Sequence, residues 1–239
     1  PVEPKVSTSI MLAKEPGKDE SWKVTETENT IVYAGNYGTV QINKNPWRVV
    51  LKDKTGRILS QTVTLRDADS TQVKYTPFSF IKRGSDNARR INPVFTLTAD
   101  EMIFGCGESA TGLNKVGQKV NLFVTDPQGP ETDQMYKPIP FFMSNYRYGI
   151  FLDNTYKTEF KFGTESRDYY SFEAPGGEMI YYFIFGKDYK EIMKQYVALT
   201  GQPIMPPKWA LGFAQCRGLL TTEKLSYEIA EGYRKRGIP

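Results

Sequence analysis

An acidic side chain in the least regular part of the sequence is the first candidate for chemistry. Asp126 lies within residues 105–140, a stretch rich in glycine, proline and polar residues, and a loop of that length in a compact domain is usually functional or disordered. A carboxylate accepts hydrogen bonds from two neighbouring hydroxyl groups at once, so Asp126 is a candidate ligand-binding residue. Because Pro127 follows it, a backbone-capping role in an Asx turn is an equal alternative.

Glu108 is a second acidic candidate, at the end of the string Gly105-Cys106-Gly107-Glu108. The two glycines indicate a tight bend of the backbone. We expect the Glu108 carboxylate to anchor this bend by accepting backbone N–H bonds, and we favour that structural role over a role as a catalytic acid.

Arg217 is the basic candidate, and it comes directly after a predicted strand. Large and small residues alternate over 209–214, and this period of two predicts a strand. Arg217 could line a binding pocket or hold a carboxylate of a neighbouring strand, and we favour a structural ion pair.

The composition excludes several kinds of chemistry. The 239 residues contain no histidine, which excludes a histidine base and a histidine-ligated metal site within this sequence. Cys106 and Cys216 are far apart and have neither metal-ligand nor redox spacing. Their apolar surroundings predict buried free thiols, with a disulfide as the alternative. We therefore expect no metal and no cofactor.

Charge and hydropathy say little about macromolecular partners. The formal net charge of +4 comes from scattered lysines and arginines, so a nucleic-acid partner is not expected. No apolar run approaches the length that spans a membrane, and no signal-peptide pattern opens the sequence. The compartment stays open, with a periplasmic or secreted location slightly favoured over the cytoplasm, and the oligomeric state is left open.

The pattern of elements predicts a mainly β protein with a short α/β segment at its end. Many short strands separated by turns, from Thr30 onward, are typical of a β-sandwich. Residues 178–185 are apolar on both faces and predict a central strand covered on both sides.

Two helices are predicted after these strands, one between Asp188 and Gly201 and one between Thr221 or Thr222 and Gly237. We divide the sequence into a sandwich (1–186), a helix with a proline-rich connector (187–207), and one strand and helix of a parallel α/β fold (208–239).

Several strings in this order resemble one family. MIFGCGE (102–108), NLFVTD (121–126), PIPFFMS (138–144), YGIFLDN (148–154), GGEMIYYFIFG (176–186) and LTGQPIMPPKWALGFAQCR (199–217) resemble segments of glycoside hydrolase family 31. The resemblance covers the sequence from about Thr30 to its last residue. It implies a galactose-mutarotase-like sandwich followed by the first βα unit of a (β/α)8 catalytic barrel.

The resemblance also implies an activity that this stretch cannot perform alone. Family members cleave α-glycosides with retention, using an aspartate nucleophile and an aspartate acid/base about 5 Å apart. Both aspartates lie on later barrel strands, so no residue here receives a catalytic role and we expect the 239-residue chain to be inactive. By the same resemblance Asp126 and Arg217 are the substrate-binding candidates. The family has an aspartate over the sugar site at the position that matches Asp126, and Arg217 lies at the C-terminal end of the presumed first barrel strand, where barrel active sites are built.

The specificity within the family stays open. Maltase-like members carry an aromatic residue after the arginine, whereas this sequence has Gly218-Leu219-Leu220. This difference disfavours plain α-1,4-glucosidase activity and keeps α-galactosidase, α-xylosidase and α-glucan lyase activity as alternatives. A non-catalytic carbohydrate-binding sandwich is the alternative from another class. An aldose mutarotase is set aside because its chemistry needs histidine.

Overall fold

The computed structural model describes residues 9–63, 78–82, 89–126, 132–133, 135–216 and 221–238. The chain forms two compact units, Pro1–Gly201 and Gln202–Pro239. The boundaries that we drew at 186 and 207 stay a prediction. The described residues form the following strands and helices: β1 (Lys23–Glu26), β2 (Thr30–Ala34), β3 (Gly38–Lys44), β4 (Trp47–Asp53), β5 (Ile58–Gln61), β6 (Phe78–Lys82), β7 (Arg89–Thr96), β8 (Ile103–Glu108), β9 (Lys119–Leu122), β10 (Lys137–Ser144), β11 (Tyr148–Leu152), β12 (Thr158–Phe162), β13 (Tyr169–Glu173), β14 (Tyr181–Phe185), α1 (Tyr189–Thr200), a 3₁₀ helix (Lys208–Leu211) and α2 (Glu223–Lys235).

The first unit contains three antiparallel sheets. Their strand orders are β1-β2-β3-β4-β5, β14-β11-β10-β8 and β6-β7-β13-β12-β9. A bridge between Thr62 and Phe95 joins the end of the first sheet to β7. The predicted mainly β sandwich is confirmed.

The core lies between the second and third sheets and is largely aromatic. Phe142 of β10 is fully buried, and its ring centroid lies 5.8, 5.1 and 5.5 Å from those of Phe160, Phe162 and Tyr170. Edge-to-face contacts of this kind add to the hydrophobic stabilisation of the buried rings. Period-two alternation places Phe141 on the opposite face, where its ring stacks on Tyr196 of α1 at 4.0 Å. Helix α1 therefore forms a third layer over the second sheet.

The position of β14 in its sheet differs from the prediction for residues 178–185. Its two faces are covered as expected, since Phe183 packs on the sandwich core and Ile184 packs under α1. It is an edge strand, however, and pairs only with β11 among the described strands. The prediction of a central position was wrong because apolar residues on both faces report what lies above and below a strand, not beside it.

Both helices begin and end at the predicted residues. The Asp188 side chain accepts a hydrogen bond from the Glu191 N–H at 2.9 Å, and Gly201 ends α1 with φ of 98°. The Thr222 hydroxyl accepts from the Leu225 N–H at 3.2 Å, and Gly237 follows α2 with φ of 68°. These are the N-cap and C-terminal signals that the sequence shows.

A buried carboxyl group lies in the first unit. Glu101 is 4% exposed and accepts hydrogen bonds from the hydroxyls of Ser144 at 2.5 Å and Tyr148 at 2.6 Å. The Tyr148 hydroxyl lies 3.1 Å from that of Tyr170, which in turn lies 3.4 Å from that of Ser60. Burial raises the pKa of Glu101, and it raises the pKa of both tyrosines. The network ties the three sheets together through polar side chains.

Candidate functional site

Asp126 is exposed, and its carboxylate is held in place by a tyrosine. The Tyr136 hydroxyl donates a hydrogen bond to Oδ1 of Asp126. This bond, together with partial burial and the negative charge, raises the pKa of the Tyr136 hydroxyl. Oδ2 has no hydrogen-bond partner among the described residues, so within that part of the chain one carboxylate oxygen is free to accept a hydrogen bond.

The backbone around Asp126 is fixed at its base by a short bridge between two chain segments. The first segment, 121–126, continues from β9, and residues 135–136 of the second lead into β10. Val124 and Met135 form a parallel bridge, and the Thr125 N–H donates to the Met135 carbonyl at 3.1 Å. Leu122 and Met135 are buried in the core, 6% and 3% exposed. The segment that carries Asp126 is therefore anchored in the sandwich.

Strand β9 within this region was not predicted. The stretch 105–140, interpreted as irregular, contains β9 as well as the last four residues of β8. Only four residues, KVNL, form β9, and so short a segment gives too little periodicity to be recognised.

The Gly-Cys-Gly-Glu string, expected to form a tight bend, lies within β8, whose pairing with β10 shifts register between Pro138 and Phe142. Gly105, Cys106 and Gly107 all have positive φ, at 127°, 68° and 91°. A Cβ on Gly107 would lie 2.0 Å from the Lys137 carbonyl oxygen, so only glycine allows β8 to approach β10 this closely. Glu108 acts as an acceptor, as predicted, but its observed donor is the Lys137 ammonium at 2.9 Å rather than a backbone N–H.

Cys106 is a structural residue within β8. Its side chain is fully buried, and burial raises the pKa of the thiol to about 12, although the nearby Lys115 charge opposes this. Lys115 is itself buried, and its ammonium donates to the hydroxyls of Ser109 at 3.0 Å and Thr111 at 2.8 Å. A thiol with so high a pKa is a poor nucleophile at neutral pH.

The second unit corrects the prediction of a strand before Arg217. Residues 208–211 form a 3₁₀ helix, and residues 212–216 belong to no strand. A strand needs a hydrogen-bonded neighbour, and none of the described strands pairs with this segment. Trp209 and Leu211, predicted to pack on a sheet, are 82% and 76% exposed. Cys216 is exposed for the same reason, which corrects the prediction of a buried thiol, whereas Cys106 is buried as predicted.

Arg217, the second substrate-binding candidate, lies outside the described residues. Two positions earlier in the sequence, Gln215 accepts a hydrogen bond from the Tyr233 hydroxyl of α2, and the Phe213 ring lies 5.2 Å from the ring of Tyr233. These residues line an open groove of about 430 Å³ together with Ile229 and Ile238. Among the described residues that line this groove there is no carboxylate, which glycoside hydrolysis requires in pairs.

Tyr136 is the residue of this site that the sequence did not reveal. Ten positions separate it from Asp126, and no periodic pattern connects them, because the contact depends on the bridge at Met135. Within the described part of the chain, no three or more histidine, cysteine, aspartate or glutamate side chains are placed to hold a metal ion. No described helix is both long and apolar enough to cross a membrane.

The fold and the two units together identify the family. Residues 2–161 match the glycosyl hydrolase 31 N-terminal galactose mutarotase-like domain, and residues 203–239 match the family 31 TIM-barrel domain. The chain belongs to glycoside hydrolase family 31, which confirms the resemblance seen in the sequence.

Individual relatives agree with this assignment. Alpha-glucosidase 2 of Bacillus thermoamyloliquefaciens is 36% identical over 99% of this chain and 29% of its own length. Alpha-xylosidase XylQ of Lactiplantibacillus pentosus is 31% identical over 71% of this chain and 22% of its own. A family 31 dextranase of Flavobacterium johnsoniae, solved in complex with glucose, is 44% identical with a TM-score of 0.83 over 98% of this chain and 27% of its own. The chain thus spans between a fifth and a third of the length of these relatives.

Proposed function

We propose that this chain is the N-terminal part of a retaining α-glycoside hydrolase, and that its sandwich contributes a substrate-contacting loop around Asp126. The observation that carries the proposal is the geometry of Asp126. Its carboxylate is exposed, one oxygen is bound by Tyr136, and the other has no partner among the described residues. A carboxylate held in this way can accept hydrogen bonds from the hydroxyl groups of a sugar.

We propose α-linked gluco-oligosaccharides as the substrate class, with α-1,6-linked glucans as the first to test. The support is the 44% identity to a dextranase over nearly the whole chain, since the same dextranase has also been solved as a mutant with isomaltotriose. The α-glucosidase relative is 36% identical, and the α-xylosidase relative is 31% identical over a shorter stretch. Activity on α-xylosides, activity on α-galactosides and lyase activity follow as alternatives.

The test uses the complete polypeptide to which this sequence belongs. We expect it to hydrolyse isomaltotriose, and ¹H NMR should show the α-anomer of the product first, as retention requires. Replacing Asp126 by alanine should raise KM by about 10-fold, the effect of losing a hydrogen bond to a charged group. A complete enzyme that cleaves no α-glycoside, or that releases the β-anomer first, would contradict the proposal.

The 239-residue chain alone should be inactive. The family's two catalytic aspartates correspond to no residue of this sequence, so a panel of p-nitrophenyl α-glycosides should show no release of p-nitrophenol. Turnover by the purified chain would overturn this part of the proposal.

A non-catalytic carbohydrate-binding sandwich remains the alternative function. The match of residues 203–239 to the barrel domain argues against this alternative, because a free-standing binding module would contain no part of a catalytic barrel. Calorimetric titration of the 239-residue chain with isomaltotriose distinguishes the two. Micromolar binding without the barrel would favour the binding module, whereas a substrate loop completed by the barrel should bind weakly alone.

A further inference from the structure

Asp126 lies where two parts of the chain are joined by successive contacts. Two chain segments lie side by side, residues 121–126 and the described residues 132–133 and 135–136, and three contacts connect them in succession. Asn121 Nδ2 donates to Asp133 Oδ2 at 3.5 Å, the Thr125 N–H donates to the Met135 carbonyl at 3.1 Å, and the Tyr136 hydroxyl donates to Asp126. We call these two segments the Asp126 clamp.

The clamp is anchored at Met135, and its Tyr136 and Asp126 side chains are exposed. Met135 is 3% exposed, and Lys137, on the other side of Tyr136, is already in β10, where Gly107 of β8 packs against its carbonyl. The backbone of Tyr136 is therefore fixed from both sides. Its side chain is 58% exposed and extends to a carboxylate that is also exposed.

A hydrogen bond between two exposed side chains contributes little to the stability of a fold, because water competes for both groups. The bond has a larger effect on the conformation of the Asp126 side chain. A free aspartate side chain samples several rotamers, whereas the bond from Tyr136 restricts the carboxylate to those in which Oδ1 meets the hydroxyl. Oδ2 is then presented in one direction.

We propose that Tyr136 is a positioning residue for Asp126, which occupies one carboxylate oxygen and presents the other to a substrate hydroxyl. This inference rests on the proposed function, in which Asp126 contacts the sugar. A carboxylate ordered before binding loses less rotational freedom when substrate arrives, so the bond from Tyr136 lowers KM.

The contact itself is tested first, in the 239-residue chain and without any activity. Tyrosines labelled with ¹³C at Cζ are titrated by NMR, and the Tyr136 resonance is assigned by its absence in Tyr136→Phe. We expect its pKa to lie above that of a free tyrosine and to fall toward it in Asp126→Ala, because the neighbouring negative charge and acceptor are lost. A Tyr136 resonance that does not respond to Asp126→Ala would overturn the inference.

Positioning is tested in the complete enzyme with isomaltotriose. Tyr136→Phe removes only the hydroxyl, and we expect KM to rise about 2- to 10-fold with kcat changed less, the range for ordering one side chain. Tyr156→Phe is the matched control, an exposed tyrosine whose hydroxyl does not contact Asp126, and its KM should stay unchanged. In an Asp126→Ala background, Tyr136→Phe should cause no further rise, because the group that it orients is absent.

The outcomes separate this inference from the proposed function. If Asp126→Ala raises KM and Tyr136→Phe does not, Tyr136 has no positioning role. The same conclusion follows if the rise in KM of the double variant is the product of the rises in the two single variants. In both cases the substrate contact of Asp126 stands. If Asp126→Ala leaves KM unchanged while the NMR titration shows the contact, the proposed substrate contact fails, and the inference fails with it.

Discussion

Gly107 offers the sharpest test of how β8 supports the clamp. A Cβ at this position would meet two backbone atoms of β10, the Lys137 carbonyl oxygen at 2.0 Å and the Ile139 nitrogen at 2.8 Å. Real Cβ atoms do not approach backbone atoms so closely, so Gly107→Ala must separate the two strands. Because Lys137 follows Tyr136 directly, the same displacement should move the base of the clamp.

Gly117 is a matched control for the backbone conformation. Its φ of 83° is close to the 91° of Gly107, but a Cβ there has no heavy atom within 4 Å. Alanine at either position costs about 1–2 kcal/mol for the left-handed conformation. At Gly107 the steric conflict adds about 1–3 kcal/mol, by analogy with overpacked cores. We therefore expect a loss of about 2–5 kcal/mol for Gly107→Ala and about 1–2 kcal/mol for Gly117→Ala.

The measurement is urea unfolding of the 239-residue chain in a Trp209→Phe background. Trp209 is the one tryptophan of the second unit, so the remaining fluorescence comes from Trp22 and Trp47 of the first. For a domain of about 200 residues these losses correspond to a Tm lower by about 4–20 °C for Gly107→Ala and about 2–8 °C for Gly117→Ala. If Gly107→Ala lowers the free energy of unfolding by no more than Gly117→Ala does, the inference that β8 approaches β10 too closely for a Cβ at position 107 is refuted.

Three further predictions concern the stability of the first unit. Because the pKa of Glu101 is higher in the folded than in the unfolded chain, protonation favours folding. The free energy of unfolding of the wild type, relative to that of Glu101→Gln, should therefore rise as the pH falls from neutral through the raised pKa. Urea titrations at several pH values measure this dependence, and the opposite slope would contradict the burial of this carboxyl. Asp188→Ala should cost about 1 kcal/mol in thermal unfolding by removing the N-cap of α1, with Asp188→Asn close to wild type because asparagine caps equally well. Phe142→Ala should lower the free energy of unfolding in urea by about 3–5 kcal/mol, because it leaves a cavity between the sheets. Phe123 is 53% exposed, so Phe123→Ala should change this free energy by no more than about 0.5 kcal/mol. Equal losses for the two variants would refute the assigned core.

The local features of the fold were predictable because local rules determine them. The caps at Asp188 and Thr222 depend on a side chain and an N–H only three residues apart. The apolar residues on both faces of β14 predict that both faces are covered. They do not predict that β14 lies at the edge of its sheet, since that depends on which distant strand pairs with β11.

The candidate site was predictable only in part for the same reason. Asp126 could be selected from residue type, loop context and family resemblance. Its partner Tyr136 could not, because their contact depends on the burial of Met135 and on its bridge with Val124. A sequence shows that an aspartate lies in a loop, whereas the direction of its carboxylate is a property of the folded loop.

The segment before Arg217 shows how far a correct pattern can be from the observed conformation. The alternation of Trp209, Leu211 and Phe213 is that of a strand, and the segment matches the family's barrel domain, yet these side chains are exposed and the backbone forms no ladder. Both observations have one cause. In a parallel barrel the hydrogen bonds of each strand come from its two neighbours, and its apolar cover comes from the packed interior and the outer ring of helices, so the pattern describes an environment that the described residues 202–216 and 221–238 do not themselves supply. The alternation is therefore evidence for a sheet that this segment joins, and in a complete barrel we expect Trp209, Leu211 and Phe213 to become buried together.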